Sequence, residues 1–210
     1  MRADSSMDVP SPIDFSRTEE AQAWTEAANR KRPWREEFFV AIAEELRGLH
    51  RPSLTVLELG SGPGYLAEAA FRALPDVRYT LLDSSLPMQG LARSRLGPIA
   101  GAQFVTGDFR GPGWADSLGS FDAVVSVQAV HELRHKRHAI ALHETVYQLL
   151  RADGLYLVCD HVLGPGGMTN GELYMTSSEQ AAALKVAGFR DVAVLLEKGG
   201  LVLHCARTAA

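Results

Sequence analysis

The chain has 210 residues, 46% apolar and 22% charged, with a formal net charge of −4. That is enough for one domain with a real core, and the acidic balance gives no support for binding a nucleic-acid backbone, which wants a basic face. No apolar run approaches the roughly 20 residues needed to span a bilayer. The amino-terminal "MRADSSMDVPSPIDFS" lacks the apolar segment of a secretory signal. Cys159 and Cys205 sit inside apolar runs, as buried thiols of a reducing compartment do. A soluble cytoplasmic protein is expected.

Residues 1–16 are polar, hold two prolines and read as a flexible tail. Residues 17–50 read as two helices, with Pro33 in the first turn of the second. Phe38, Phe39, Ile42 and Leu46 fall at helical spacing and face a core. From Leu54 the pattern alternates. "LTVLEL" is a strand, "PGYLAEAAFRAL" a helix, "VRYTLLD" a strand and "SLPMQGLARSRL" a helix. "AQFVTGD" and "FDAVVSV" are strands, "HAIALHETVYQLLR" a helix and "GLYLVCD" a strand. Short buried strands alternating with helices predict a mostly parallel sheet covered on both faces. After the helix "SSEQAAALKVAGF", the strands "RDVAVLLEK" and "LVLHCART" are joined by Gly199-Gly200. This reads as a hairpin, so the last strand runs antiparallel. No linker divides residues 17–210, which are expected to form a single domain with the core sheet in 54–207.

Two motifs compete for the chemistry. His131-Glu132-Leu133-Arg134-His135 matches H-E-x-x-H, a zinc-hydrolase pattern that works only on one helical face. Here it follows the strand "FDAVVSV", so the two histidines straddle a loop and a helix start. The match is read as chance, and no metal is expected. The second motif is "VLELGSGPGYL", in which Gly60, Gly62 and Gly64 form a loop between a strand and a helix. Asp83 ends the next strand, where a carboxylate can accept from ribose hydroxyls. The glycine spacing does not exclude a nicotinamide or flavin nucleotide. The Walker pattern is excluded, because no Gly-Lys-Ser/Thr follows.

Glu58-x-Gly60-x-Gly62-x-Gly64 resembles the first motif of class I S-adenosylmethionine (SAM) dependent methyltransferases, and the resemblance extends over about residues 54–207. "LLDSSLPM" resembles their second stretch and "GDF" their third. "FDAVVSVQAVHEL" resembles their fourth strand with its loop, and "LLRADGLYLVCD" their fifth. The resemblance implies a Rossmann-like seven-stranded sheet with an antiparallel last strand, helices on both faces and an N-terminal helical cap. It implies SAM as cofactor and S-adenosylhomocysteine (SAH) as product. The cofactor would be held by Glu58, Gly60, Ser61, Gly62, Gly64, Asp83, Ser84, Met88, Gly107, Asp108, Phe109 and Gln128, with Asp83 at the ribose, Met88 near the adenine and Asp108 at its amino group.

Open α/β sheets bind ligands beyond the carboxyl ends of their strands. His131, after the fourth strand, is therefore the candidate general base or substrate anchor. His161, after the fifth, is a candidate substrate contact. So are Tyr174 or Met175, in the glycine-rich "HVLGPGGMTNGELYMTSS", and Trp34 and Arg35, which could close over the cofactor or bind a substrate carboxylate. Ser126-Val127-Gln128-Ala129 stands where amino-methylating DNA enzymes carry [DN]-P-P-[YFW], so a DNA acceptor is not expected. A small molecule with an oxygen, nitrogen or carbon acceptor is. The alternative is a SAM enzyme of the same fold that releases methylthioadenosine: a cyclase, lyase or aminoalkyl transferase. The oligomeric state is not legible.

Overall fold

The computed structural model describes residues 7–210. Two helices, α1 (Thr18–Lys31) and α2 (Arg35–Gly48), precede an alternation of strands and helices: β1 (Thr55–Leu59), α3 (Tyr65–Ala73), β2 (Arg78–Asp83), α4 (Leu86–Leu96), β3 (Ala102–Thr106), β4 (Phe121–Val127), α5 (Ala139–Leu149), β5 (Leu150–His161), α6 (Ser177–Val186), β6 (Arg190–Lys198) and β7 (Leu201–Arg207). The seven strands form one sheet in the order β3-β2-β1-β4-β5-β7-β6. β1 to β5 pair in parallel, and β7 runs antiparallel to both β5 and β6. This is the expected Rossmann-like sheet, with its hairpin at Gly199-Gly200.

The pleat sorts side chains onto two faces, because successive residues of a strand point opposite ways. Val56 of β1 and Leu155, Leu157 and Cys159 of β5 pack with Phe38, Ile42 and Leu46 of α2 and with α3 and α4. Leu57 and Leu59 of β1 and Tyr156 and Val158 of β5 pack with Leu142 and Val146 of α5 and with Leu184 of α6. The central strands are apolar on both faces, as expected where helices cover both. Both cysteines are free and buried. Among the described residues, no helix is long and apolar enough to cross a membrane.

The edge of the sheet opposite the strands' carboxyl ends is held by Asp122. Its carboxylate accepts from the Thr55 N–H (2.8 Å) and hydroxyl (2.7 Å) and pairs with Arg51 (2.7 Å) and Arg151 (2.9 Å). Those donors outweigh its burial and hold it well below the usual carboxylate range.

Of the segment expected as a tail, residues 1–6 lie outside the described residues, and the rest makes defined contacts. The Val9 N–H donates to the Arg134 carbonyl (2.8 Å). The Arg134 guanidinium donates to the carbonyls of Val9 (2.8 Å) and Pro10 (2.7 Å). The Ser85 hydroxyl donates to the Phe15 carbonyl. A strap therefore runs from the loop after β4 to the start of α4, across the carboxyl ends of the strands.

Candidate functional site

The strand order reverses between β1 and β4, where an open α/β sheet leaves its ligand crevice. A cavity of ≈ 1190 Å³ opens there, large for a single small-molecule site. Its wall is built from the segments that follow the strands. Gly60, Ser61 and Gly62 follow β1; Asp83 ends β2 and Ser84 follows it; Asp108 and Phe109 follow β3; Gln128 and His131 follow β4; His161 ends β5. The strap, α1 and the start of α2 close the remaining side.

The glycine loop needs its glycines for two physical reasons. Gly60, Gly62 and Gly64 all have positive φ (65°, 52° and 78°), a region that side-chain-bearing residues rarely adopt. A Cβ on Gly60 would lie 2.5 Å from the Cβ of Ala129, whereas one on Gly62 would meet nothing within 4 Å. The first glycine thus lets the β1 loop pack on the β4 loop, and the second leaves room for a ligand. Asp83 braces the loop: its carboxylate accepts from the N–H groups of Gly62 (2.7 Å) and Ser85 (2.8 Å). Burial nevertheless raises its pKa. Glu58 is fully buried in β1, and burial pushes its carboxyl up to about 8. Met88, in α4, is buried and lies 3.8 Å from the Thr25 hydroxyl of α1.

Not every expected residue faces the cavity. Gly64 and Gly107 are not on its wall, although Gly64 caps α3 and the Gly107 N–H donates to the Asp83 carbonyl (3.2 Å). Asp108 is on the wall, but its carboxylate is held by Arg110 at 2.7 Å. Trp34 is off the wall and packs against the Gly199 turn, where a Cβ would sit 2.4 Å from its ring. Arg35 is buried on the wall, with its guanidinium 5.6, 5.4 and 5.8 Å from the rings of Trp24, Phe39 and Tyr65.

The second half of the cavity is built around His131. It does not sit on a metal-binding helix face. A 3₁₀ turn spans Val130–Leu133, Arg134 breaks it in the left-handed region (φ 64°), and His135 is extended. Instead, the His131 Nδ1 lies 2.7 Å from Asp160 Oδ1, and its backbone N–H donates to Oδ2 at 2.8 Å. The Nε2 lies 3.4 Å from Glu132 Oε1. Burial alone would lower its pKa; the two carboxylates overcome that and raise it to about 10. Asp160, sequence-adjacent to His161, is lowered against its burial by the same pairing.

His161 is the opposite case, since burial pushes it down to about 4 and it remains a neutral imidazole. Its Nε2 lies 2.8 Å from the Gln128 side-chain nitrogen. Gln128 itself has positive φ (55°) and leaves its Oε1 buried without a partner among the described residues. The Tyr174 ring stands 5.6 Å from His131 and 5.9 Å from His161. Met175 is not on this wall.

Sequence reasoning missed Asp160 and Glu132. Asp160 carried a readable signal, being the acid at the carboxyl end of the fifth strand. Glu132 was seen only as part of a metal pattern.

The residues present suit a SAM-type ligand on structural grounds. The open space over Gly62, the braced Asp83 carboxylate and the buried partnerless Ser61 hydroxyl and Gln128 Oε1 surround one cavity.

Residues 56–154 match the profile of the family described as "Methyltransferase domain". A non-reducing polyketide synthase of Aspergillus novofumigatus is 30% identical over 111 residues, covering 50% of this chain and 5% of that protein. An O-methyltransferase family protein from Burkholderia thailandensis superposes with a TM-score of 0.74 at 18% identity, over 93% of this chain and 62% of that one. Human N-acetylserotonin methyltransferase in complex with SAM superposes with a TM-score of 0.72 at 20% identity, over 96% and 61%. The chain thus spans a small part of the curated relative and about three-fifths of these two solved structures.

Proposed function

We propose that this chain, whose residues 56–154 match a methyltransferase domain, is a class I SAM-dependent methyltransferase that transfers a methyl group from SAM to a small-molecule acceptor and releases SAH. The observation that carries this reading is the convergence of the glycine loop and the His131–Asp160 pair on one cavity. The net charge of −4 supports a small acceptor over DNA. The two buried free thiols support a reducing, cytoplasmic setting. Residues 17–210 act as a single domain in this reading.

Glu58, Ser61, Gly62, Asp83, Ser84, Met88, Phe109 and Gln128 would hold the cofactor, with Gly60 and Gly64 shaping its loop and Gly107 and Asp108 behind the adenine end. When bound, SAM supplies an electrophilic methyl on a sulfonium centre, and the protein's task is position and proton control. His131 is the residue of this chain that handles the acceptor's proton. Asp160 fixes its Nδ1 side, so the Nε2–H is the group that faces the acceptor and holds its oxyanion or carbanion. With its pKa raised to about 10, the pair of imidazolium and acceptor anion is favoured for any acceptor that ionises below that value. An ammonium acceptor would meet a cation instead, so oxygen and carbon acids fit best. His161 and Tyr174 flank the same space and would hold the acceptor against it.

Product analysis after incubation with SAM and a panel of phenols and 1,3-dicarbonyls tests this. SAH is the expected product. Methylthioadenosine would overturn methyl transfer in favour of a cyclase, lyase or aminoalkyl transferase.

A further inference from the structure

Four arginines reach the cavity wall: Arg32, Arg35, Arg110 and Arg134. Three have work that is already visible. Arg110 holds Asp108. Arg134 grips the strap carbonyls and Glu132. Arg35 is boxed by three aromatic rings. Arg32 differs. It is half-buried at the carboxyl end of α1, and its guanidinium enters no hydrogen bond or ion pair among the described residues.

The acids on its side of the cavity are already committed. Asp160 binds His131 and the His161 N–H, and Glu132 lies between His131 and Arg134. Arg32 is close enough to His161 and Tyr174 for its charge to act on both. It reinforces the depression of His161 that burial begins and opposes the rise that burial gives Tyr174. A half-buried guanidinium on a cavity wall that lacks a carboxylate partner is a ready fork for a ligand oxyanion.

The geometry points to Arg32 as an acceptor-binding residue that selects an acceptor carrying a free anionic group, a carboxylate or a phosphate ester, remote from the atom that receives the methyl. This rests on the methyltransferase reading and adds the substrate class to it. The reacting end would lie against His131, and the anionic end would reach towards α1, past His161 and Tyr174. The neutral His161 offers no competing charge at that wall.

The test uses SAH-saturated protein and three matched pairs of probes. These are acetoacetate with its methyl ester, 4-hydroxyphenylacetate with its methyl ester, and acetoacetyl phosphopantetheine with its dephosphorylated form. In at least one pair the anion should bind about ten- to a hundred-fold tighter than its neutral twin, the range of one charge-assisted hydrogen-bonded contact. A gap in the first two pairs identifies a carboxylate, and one in the third a phosphate. Arg32→Gln should erase that gap and leave the neutral twin and SAH binding as they were, while Arg32→Lys should keep part of it. Equal binding within every pair, no binding of any probe, or a gap that survives Arg32→Gln overturns the proposal. So does a loss of SAH affinity in Arg32→Gln, which would put the residue at the cofactor. None of these touches the methyltransferase reading, which fails only if the folded wild-type protein does not bind SAH.

Discussion

At the scale of single residues, Asp160 positions His131 and Asp83 braces the glycine loop. His131→Asn should lower kcat by about 10²–10⁴, the usual worth of a positioned acid–base group, and leave the SAH dissociation constant unchanged. Full turnover would remove His131 from the mechanism. Asp160 is a positioning residue, and its effect should appear in a pH profile. Wild-type kcat/KM rises with pH until the acceptor ionises and falls only as the imidazolium is lost near pH 10. Asp160→Asn removes the charge that raises that pKa, so the alkaline fall should move down by one unit or more; an unmoved limb would contradict the pairing. The glycine loop and Asp83 were legible because motif and geometry are local: the loop starts at the end of β1, and Asp83 closes the very next strand. The His131–Asp160 pair was not legible. It depends on the β4–β5 register, which sets Val127 opposite Cys159 and so brings the loop after one strand to the end of the next. Trp34 read as a ligand contact because it is an aromatic beside an arginine; its ring packs under the β6–β7 turn, where Gly199 leaves it room, a contact no local pattern announces.

At the scale of elements, the loops that end the strands depend on close backbone approach. Gly60→Ala should cost both stability and SAH affinity, because its Cβ would collide with Ala129 in a conformation alanine resists. Gly62→Ala has space for its Cβ, so its stability loss should be the smaller of the two in thermal denaturation. A larger loss at Gly62 would contradict the packing described. The strap of residues 8–15 is a second element-scale device. Arg134→Gln removes the fork that donates to Val9 and Pro10, and SAH should leave at least several-fold faster by stopped-flow, with kcat less affected. An unchanged off-rate would mean the strap does not cover the cofactor. Composition suggested a tail there, since "VPSPIDFS" is polar and proline-rich. The contacts that order it run to Arg134, some 125 residues away in sequence, and no local pattern announces them.

At the scale of the whole molecule, the alternation of strands and helices and the antiparallel finish were readable from the apolar pattern and the Gly-Gly turn, because both signals are local; the spatial order, which sets β1 beside β4 and β7 between β5 and β6, was not. The pH dependence of stability is a collective property with a definite sign. His143, held near 3 between Tyr156 and Gln180, and His161, near 4, are depressed by burial. Their contribution is present above the unfolded value of roughly 6.5 and is lost as pH falls. Glu58, raised to about 8, and His131, raised to about 10, work the other way. Their stabilising effect is full below their unfolded values and is lost as pH rises through the folded ones. The thermal midpoint should therefore peak near pH 6.5, by about the point where these opposing slopes cross, and decline towards pH 9. Glu58→Gln should flatten the decline between pH 6 and 8, and a midpoint still rising at pH 9 would contradict the assignment.

If the cavity at the ends of the parallel strands is a SAM site, it takes up SAH. Calorimetric titration of the purified protein with SAH, beside the Asp83→Asn variant, reads this out. One-site binding is expected, weakened about ten-fold or more when the braced carboxylate loses its charge. A folded protein that takes up no SAH, or an Asp83→Asn variant that binds it as tightly as the wild type, would rule the SAM site out.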